Sequence, residues 1–451
     1  MCNTSAKPLF TGRELLTLIW PLVVEQLLAV TVGMADTVMV SSVGEEAVSG
    51  IALVDSINIL FIQIFSAMAT GGAVVASQYL GRQDRESACS AAKQLLYTAL
   101  ILSLVILAAA YPFQRSILSG IFGSIEPEVM ANAQTYFGLS LLSYPFLALY
   151  NGGAALVRAM GNSRISMLTS LLMNVVNIGG NAILIYGCGW GVAGAATASL
   201  FSRALSAVLI TALICRPHQM ISVHRLFRPE FRPAMVRRIL SIGIPGGVEN
   251  GMFQIGKLIV QRLVSTFGTF AISANAIANN IASVVNVPGT AIQLALITVV
   301  GRCIGAQDYG QAVSYTKRLL GFTYLSMGTL NLLLLLTAHP LVGVFHLSTQ
   351  ATAAAEQVLY LFAVCSMLLW PLSFITPNAL RAAGDAKFTM VVSMVSMWVF
   401  RIGFSYLLAD DWGLGLGLLG VWMAMVIDWV ARAAVFSLRF LRGKWKNLQV
   451  I

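Results

Sequence analysis

The chain has 451 residues, of which 57% are hydrophobic and only 10% are Asp, Glu, Lys or Arg. Because a soluble domain carries about 25% charged residues, this composition excludes a cytosolic enzyme, a disordered chain and a disulfide-stapled secreted domain. The net charge of +10 does not indicate a nucleic-acid partner, since the basic residues stand in short groups between long apolar runs. We therefore expect a protein whose partner is the lipid bilayer.

Twelve continuous apolar segments, each long enough to span a bilayer as a helix, follow one another along the chain. They are centred on residues 14–40, 49–78, 88–111, 129–157, 165–186, 191–215, 239–264, 271–301, 313–337, 351–380, 388–408 and 417–438. Barrel strands would instead alternate with a period of two over about ten residues. The sequence thus predicts an all-α membrane protein with twelve transmembrane helices, the first of which is a permanent helix rather than a cleaved signal.

The distribution of Lys and Arg predicts the orientation of these helices. Twenty-two of the 28 basic residues fall in alternate connecting segments and the two termini, whereas the six opposite loops hold only Arg115. Cytoplasmic loops carry such an excess of basic residues. We expect both termini in the cytoplasm and the protein in the plasma membrane.

The two halves of the chain are repeats of each other. Pro21–Asp84 aligns without a gap with Pro245–Asp308, and 15 of the 64 positions are identical. Six helices per repeat give two lobes, 1–215 and 239–451, in the same orientation and related by a pseudo-twofold axis along the membrane normal. The polar segment 216–238 is predicted to be a cytoplasmic linker. Repeats of this kind place a substrate site in many transporters.

Asp36 is the clearest functional candidate, because an ionisable residue inside a membrane segment is costly and normally faces water or a partner. Asn174, Asn177 and Asn181 lie at spacings of three and four on one face of the fifth helix, and Ser199 lies on the sixth. These oxygens suit a hard cation such as Na⁺, and a proton on Asp36 could replace it. The alternative is an interhelical hydrogen-bond cluster without a ligand.

Other intramembrane charges permit two interpretations each. Glu25 and Glu249 both follow a proline by four residues, so they could line a cavity or hydrogen-bond backbone groups that the prolines free. Arg401, Asp428 and Arg432 are predicted to form a neutralised structural cluster. The role of Asp55, which aligns with Asn279 in the repeat, stays open.

Several short motifs, at matching places in both halves, resemble the multidrug and toxic-compound extrusion (MATE) family of transporters. The resemblance covers nearly the whole chain. The motifs that support it are the GxQD turns Gly81–Asp84 and Gly305–Asp308, the RAxG turns that begin at Arg158 and Arg381, GVAGAA at Gly191–Ala196 and WVFRIG at Trp398–Gly403.

The resemblance implies a secondary antiporter that exports small amphipathic, cationic compounds in exchange for H⁺ or Na⁺, as a monomer and without a cofactor. It implies a cation site formed by Asp36, Asn177, Asn181, the Ala195 carbonyl and the Ser199 hydroxyl. Helix 1 would bend at Pro21. Residues 357–384 contain no acid, so a DinF-like mechanism in the N-terminal lobe is favoured over a NorM-type one. Asn174, Glu25 and Glu249 are candidates for the substrate cavity or its gating.

Three rival functions remain as alternatives. A lipid or lipid-linked saccharide flippase of the same architecture would need a basic cavity, for which Arg203, Lys257 and Arg262 are the candidates. An intramembrane hydrolase is disfavoured because the sequence has no HExxH or GxSxG motif. A non-transporting scaffold would not need Asp36 opposite two asparagines.

Overall fold

The protein is all-helical in the residues that its computed structural model describes. These are residues 8–123, 126–217, 219–223, 230–410 and 412–451, with the side chains of Met34 and Thr37 excepted. The first half contains α1 (Gly12–Ser41), α2 (Glu45–Gly81), α3 (Arg85–Ala110), α4 (Gln114–Phe122), α5 (Pro127–Ala159), α6 (Ser163–Asn181) and α7 (Gly191–Ile214). A π-helical segment, Ala182–Gly187, continues α6 without a break.

The second half repeats this order with more interruptions. It contains α8 (Pro233–Thr266), α9 (Thr269–Val285), α10 (Val287–Gly305), α11 (Tyr309–Gly343), α12 (Thr349–Phe374), α13 (Thr376–Ala382), α14 (Ala386–Val395), α15 (Phe404–Ala409) and α16 (Gly417–Leu441). A second π-helical segment, Ser396–Gly403, joins α14 to α15, and a 3₁₀ turn, Lys444–Asn447, follows α16.

Each of the twelve predicted segments coincides with a helix or with a run of adjoining helices. The predicted helix 271–301 is divided at Asn286, two residues before Pro288, and the predicted helix 351–380 is divided at Ile375, two residues before Pro377. A proline cannot donate the hydrogen bond that would continue the preceding helix. The short α4 has no counterpart in the prediction, because nine residues are too few to register as a span.

Ten helical segments of the described chain are long and apolar enough to cross a membrane. The long helices α5 and α8 are not among them, and α8 carries five charged residues, two of which are Lys257 and Glu249. The predicted linker 216–238 lies partly outside the described residues, and from Pro233 onward it already belongs to α8.

The chain divides into two compact units. The N-terminal unit comprises residues 16–247, and the C-terminal unit comprises residues 248–450 together with the segment before Leu16. Each border falls inside a helix, within five residues of Pro21 in α1 and of Pro245 in α8.

Equivalent turns in the two units have the same backbone geometry. In both GxQD turns the glutamine adopts a left-handed conformation, with φ of 63° at Gln83 and 57° at Gln307. The next residue, Asp84 or Asp308, caps the following helix by accepting a hydrogen bond from the N–H three residues ahead, at 3.0 Å and 2.9 Å. The motifs shared by the repeats are therefore helix stop-and-start signals.

The N-terminal unit has a core of large side chains between α2, α3 and α5. Phe65, Phe137 and Tyr144 are almost fully buried in it. Small residues allow closer contacts elsewhere: a Cβ atom added at Gly71 of α2 would lie 2.6 Å from the carbonyl oxygen of Ile239, in the first part of α8. This packing fixes α2 and α5, which carry Asp55, Asn58 and Tyr136 of the site described next.

Candidate functional site

The predicted coupling residues of the N-terminal unit form a chain of hydrogen bonds across three helices. Asp36 of α1 is partly buried, and its Oδ1 accepts a hydrogen bond from Asn181 Nδ2 of α6 at 2.8 Å. Asn181 Nδ2 also lies 3.4 Å from Asn177 Oδ1, and Asn177 Nδ2 donates to Ser199 Oγ of α7 at 3.0 Å. The structure thus brings together four of the five residues predicted for the cation site.

The fifth residue, Ala195, lies one turn before Ser199 on α7. Its side chain packs in an apolar cluster with Val40 and Ile51. Its small side chain therefore contacts residues of α1 and α2 in this cluster. Its carbonyl as a cation ligand stays a prediction.

Two buried polar atoms on α6 have no hydrogen-bond partner among the side chains that the structure describes. They are Asn181 Oδ1, next to Asp36, and Asn174 Nδ2, one turn before Asn177. Buried polar groups are normally paired, because an unpaired one loses its water without compensation. The free Asn181 oxygen is therefore a ready ligand for a cation. Asn174 lies on the same helix face and is not part of the hydrogen-bond chain.

A second acidic group lies in the same unit, around Asp55 of α2. Asn58 Nδ2 donates to Asp55 Oδ1 at 3.1 Å, and the Tyr136 hydroxyl also hydrogen-bonds to Asp55. Asn58 in turn accepts from the Tyr144 hydroxyl at 2.8 Å. Sequence reasoning missed Asn58 and Tyr136. The spacing of three between Asp55 and Asn58 on a helix was the available signal.

The positive charge of Arg203, on α7, acts on both Asp36 and Asp55. Arg203 NH1 donates to Ser143 Oγ of α5 at 2.7 Å. Among the described residues, neither carboxylate forms an ion pair with Arg203 within 4.0 Å. With both acids ionised, this group of three charges has a net charge of −1.

Glu25, four residues after Pro21, forms a buried ion pair. Its Oε1 lies 3.1 Å from Arg158 NH1, and its Oε2 accepts a hydrogen bond from Ser166 Oγ at 2.8 Å. Arg158 also donates to Ser166 at 3.0 Å. The arginine of the first RAxG motif thus connects α5 to the part of α1 that follows Pro21.

Glu249 forms the equivalent pair in the C-terminal unit. Its Oε1 lies 2.5 Å from Arg381 NH2, and Arg381 also donates to Thr389 Oγ1 and Asn378 Oδ1 at 3.3 Å and 3.1 Å. Both glutamates are therefore held by the arginine of an RAxG turn, which neither sequence interpretation anticipated.

The predicted charge cluster of the C-terminal unit is present. Asp428 is fully buried, with Arg432 Nε at 2.9 Å and Arg401 NH1 at 3.8 Å from its two oxygens. The Ser396 hydroxyl donates to the same carboxylate. In the described part of the chain, no group of three or more His, Cys, Asp or Glu residues could hold a metal ion.

Comparisons with known proteins identify the family. The family model MatE matches residues 21–183 and again residues 245–407. The two matches begin 224 residues apart, at Pro21 and Pro245, which is the offset of the predicted repeat.

Full-length relatives are named as transporters. The chain is 28% identical to "Uncharacterized transporter YisQ" of Bacillus subtilis (strain 168), over 97% of this chain and 96% of the relative. It is 26% identical to "Probable multidrug resistance protein NorM" of Thermotoga maritima, over 97% and 94%.

Solved structures share the fold. A MOP superfamily transporter from Pyrococcus furiosus superposes with a TM-score of 0.89 over 97% of both chains, at 21% identity. An outward-facing multidrug resistance MATE transporter also superposes with a TM-score of 0.89, over 96% of both. With a repeated family model, full-length relatives and a common fold, the chain belongs to the MATE family of multidrug efflux transporters, and it is a transporter rather than an enzyme.

Proposed function

We propose that this protein is a secondary antiporter of the bacterial inner membrane, with both termini in the cytoplasm. It exports small amphipathic, cationic compounds in exchange for H⁺ or Na⁺, which bind at Asp36. One observation carries the proposal: a carboxylate inside a membrane helix begins a chain of polar side chains that crosses α1, α6 and α7.

Both coupling ions are chemically compatible with this group of residues. Na⁺ would take the Asp36 carboxylate, the unpaired Asn181 Oδ1 and the Ser199 hydroxyl, all hard oxygen ligands. A proton would need only Asp36 and would neutralise it. Either ion adds one positive charge to a group that carries −1, so the group is neutral when the ion is bound.

The same net charge explains why a cationic substrate can compete with the coupling ion. A substrate with one positive charge near Asp36, Asp55 and Arg203 neutralises the group as the ion does. Binding of one therefore disfavours binding of the other, which is the requirement for exchange. Such a ligand shifts a conformational equilibrium only by its differential affinity for the two states.

The ligands lie on different helices, so occupancy of the site can change helix geometry. Asp36 is fifteen residues beyond Pro21 on α1, where the missing N–H weakens the helix. We propose that α1 bends about Pro21 when Asp36 loses its cation. A coupling site confined to the N-terminal unit is DinF-like.

Dye efflux from proteoliposomes tests this function. Wild-type protein should export ethidium when an inward Na⁺ gradient or an inward pH gradient is imposed, and the two imposed separately identify the ion. The variant Asp36→Asn keeps the size and hydrogen bonds of the side chain but removes its charge. We expect it to lose gradient-driven efflux and to retain its thermal stability.

The matched control is Glu46→Gln, which removes an exposed carboxylate at the start of α2. It should transport as wild type does. Efflux by Asp36→Asn at the wild-type rate would overturn the proposed coupling site.

A further inference from the structure

Three cationic side chains surround one aromatic ring in the C-terminal unit. The Cζ atoms of Arg401 and Arg432 lie 5.3 Å and 5.6 Å from the centre of the Phe253 ring, and Lys257 Nζ lies 5.5 Å from it. Phe253 and Lys257 lie one turn apart on α8, Arg401 lies in the second π-helical segment, and Arg432 lies on α16.

Among the residues that the structure describes, Asp428 is the one acid within 4.0 Å of any of these cations. Asp428 Oδ1 accepts hydrogen bonds from Arg432 Nε and the Ser396 hydroxyl, and Arg401 NH1 lies 3.8 Å from Oδ2. Within the described residues, no carboxylate lies within 4.0 Å of Lys257. The group therefore carries an excess of two positive charges inside helices of a membrane protein.

Such an excess is costly unless a counter-charge or water reaches it. The Lys257 side chain is exposed at the protein surface, although it lies well inside α8. Because transfer of an ammonium group into lipid hydrocarbon is costly, a position that faces water is favoured for Lys257 over one that faces lipid. Within the cluster Lys257 is exposed, so a ligand can reach it, whereas Asp428 is fully buried.

The sequence repeat shows that the two units differ in charge at nearly equivalent positions. With the offset of 224 residues, Lys257 of α8 corresponds to Gly33 of α1, and Asp36 corresponds to Val260. Equivalent helices therefore carry a negative charge in one unit and a positive charge in the other, within one turn of the same position.

We propose that Lys257 and Arg401 form a binding site for an oxyanion, a carboxylate or phosphate group, carried by an amphipathic molecule that packs on Phe253. Arg401 offers the planar donor fork that binds such groups through two hydrogen bonds, and Lys257 adds a point charge. Arg432 stays paired with Asp428 and holds Phe253 in place. The site rests on the proposed function only in that its ligand would be a transported compound.

Two dyes that differ in one group test this site. Rhodamine 19 carries a free carboxylate, and rhodamine 6G is its ethyl ester. Fluorescence anisotropy with purified full-length protein in neutral detergent measures the affinity for each dye, without any ion gradient. We expect Lys257→Gln and Arg401→Gln each to weaken rhodamine 19 binding about tenfold or more, with less than a twofold change for rhodamine 6G.

The control variant is Arg237→Gln, which removes an exposed cation near the start of the same helix and should leave both affinities unchanged. Thermal unfolding of each variant checks that it is folded. Rhodamine 19 affinity that is unchanged in both variants, or an equal loss of affinity for both dyes, would overturn the proposal.

Lipid nanodiscs distinguish the source of the oxyanion. If phosphatidylglycerol displaces rhodamine 19 from the wild type, and Lys257→Gln abolishes this competition, the site accepts a phospholipid headgroup. If phosphatidylglycerol has no effect, the ligand is a free organic carboxylate. If rhodamine 19 binds through Lys257 but the protein shows no ion-driven dye efflux, this site stands and the antiport proposal is rejected.

Discussion

At the scale of single residues, the N-terminal unit depends on a few polar side chains that hold one another in place. Asn181 is central among them, because it donates to Asp36 and leaves its own Oδ1 unpaired. Asn177 connects it to Ser199. Each contact lies inside apolar helices, where a misplaced polar group finds no water as a substitute.

The substitution Asn181→Ala removes both a donor to Asp36 and a candidate cation ligand. We expect the apparent affinity for the coupling ion to fall about tenfold or more, as for other residues that orient an ion ligand. The concentration of Na⁺ or H⁺ that gives half-maximal dye efflux measures it. The matched control is Asn331→Ala in α11, another buried asparagine with an unpaired oxygen. An equal shift in both variants would contradict the proposed role of Asn181.

At the scale of elements, the units share an ion pair between a proline-containing helix and the arginine of an RAxG motif. In the N-terminal unit it joins Glu25 of α1 to Arg158 of α5 and to Ser166 of α6. The side chains of Glu25 and Arg158 are 9% and 15% exposed, so water screens their charges poorly. Loss of one partner leaves the other charge buried and unpaired.

A double-mutant cycle on this pair separates coupling from simple packing. We expect Glu25→Gln and Arg158→Gln each to destabilise the protein by about 3–5 kcal/mol. The double variant should lose less than the sum of the two, by about 0.5–3 kcal/mol. Reversible unfolding in detergent provides these values. Strictly additive losses would show that the two charges do not act on each other.

The Glu249–Arg381 pair offers a second, independent cycle in the C-terminal unit. Its N···O distance of 2.5 Å and the additional bonds of Arg381 to Thr389 and Asn378 predict coupling of the same sign. Agreement between the two cycles would indicate that the repeat preserved an interaction as well as a backbone.

At the scale of the whole molecule, charge and duplication set the architecture. Twenty-two basic residues in alternate segments predict the orientation, and the repeated family match shows the duplication. Because few charged residues lie inside the membrane-spanning helices, each one that does is a candidate for a functional or structural role.

Cysteine labelling tests the predicted orientation. Cys188 is exposed between the first π-helical segment and α7, on the side predicted to face outward. In a variant that keeps only this cysteine, a membrane-impermeant maleimide should label intact cells. In a second variant, Gln83→Cys supplies the only cysteine, in the turn after α2. This cysteine should react only after the cells are permeabilised. Labelling of position 83 in intact cells would invert the topology.

Much of this structure could be predicted from the sequence because hydropathy and charge are local signals. The twelve helical segments followed from hydropathy, the repeat from aligning the two halves, and the shared face of Asn174, Asn177 and Asn181 from their spacing on one helix. The pairing of Asp36 with Asn181, 145 positions apart, was implied only by the family resemblance. The Glu25–Arg158 pair was not predicted, since its residues are 133 positions apart in the chain. The sequence marked both as unusual, but only the packing of α1 against α5 shows that they meet. For the same reason Tyr136 was overlooked beside Asp55.

The two π-helical segments have a further consequence for how the sites are aligned. One begins directly after Asn181, and the other contains Arg401. A π turn closes its hydrogen bond one residue later than an α turn, so residues beyond it are rotated by about 100° from their position on an uninterrupted helix. Each segment is equivalent to a one-residue insertion. A single residue therefore sets the direction in which the Asn181 and Arg401 side chains point, relative to the outer end of their own helix. Shortening either segment by one residue would realign the helix without removing any polar group.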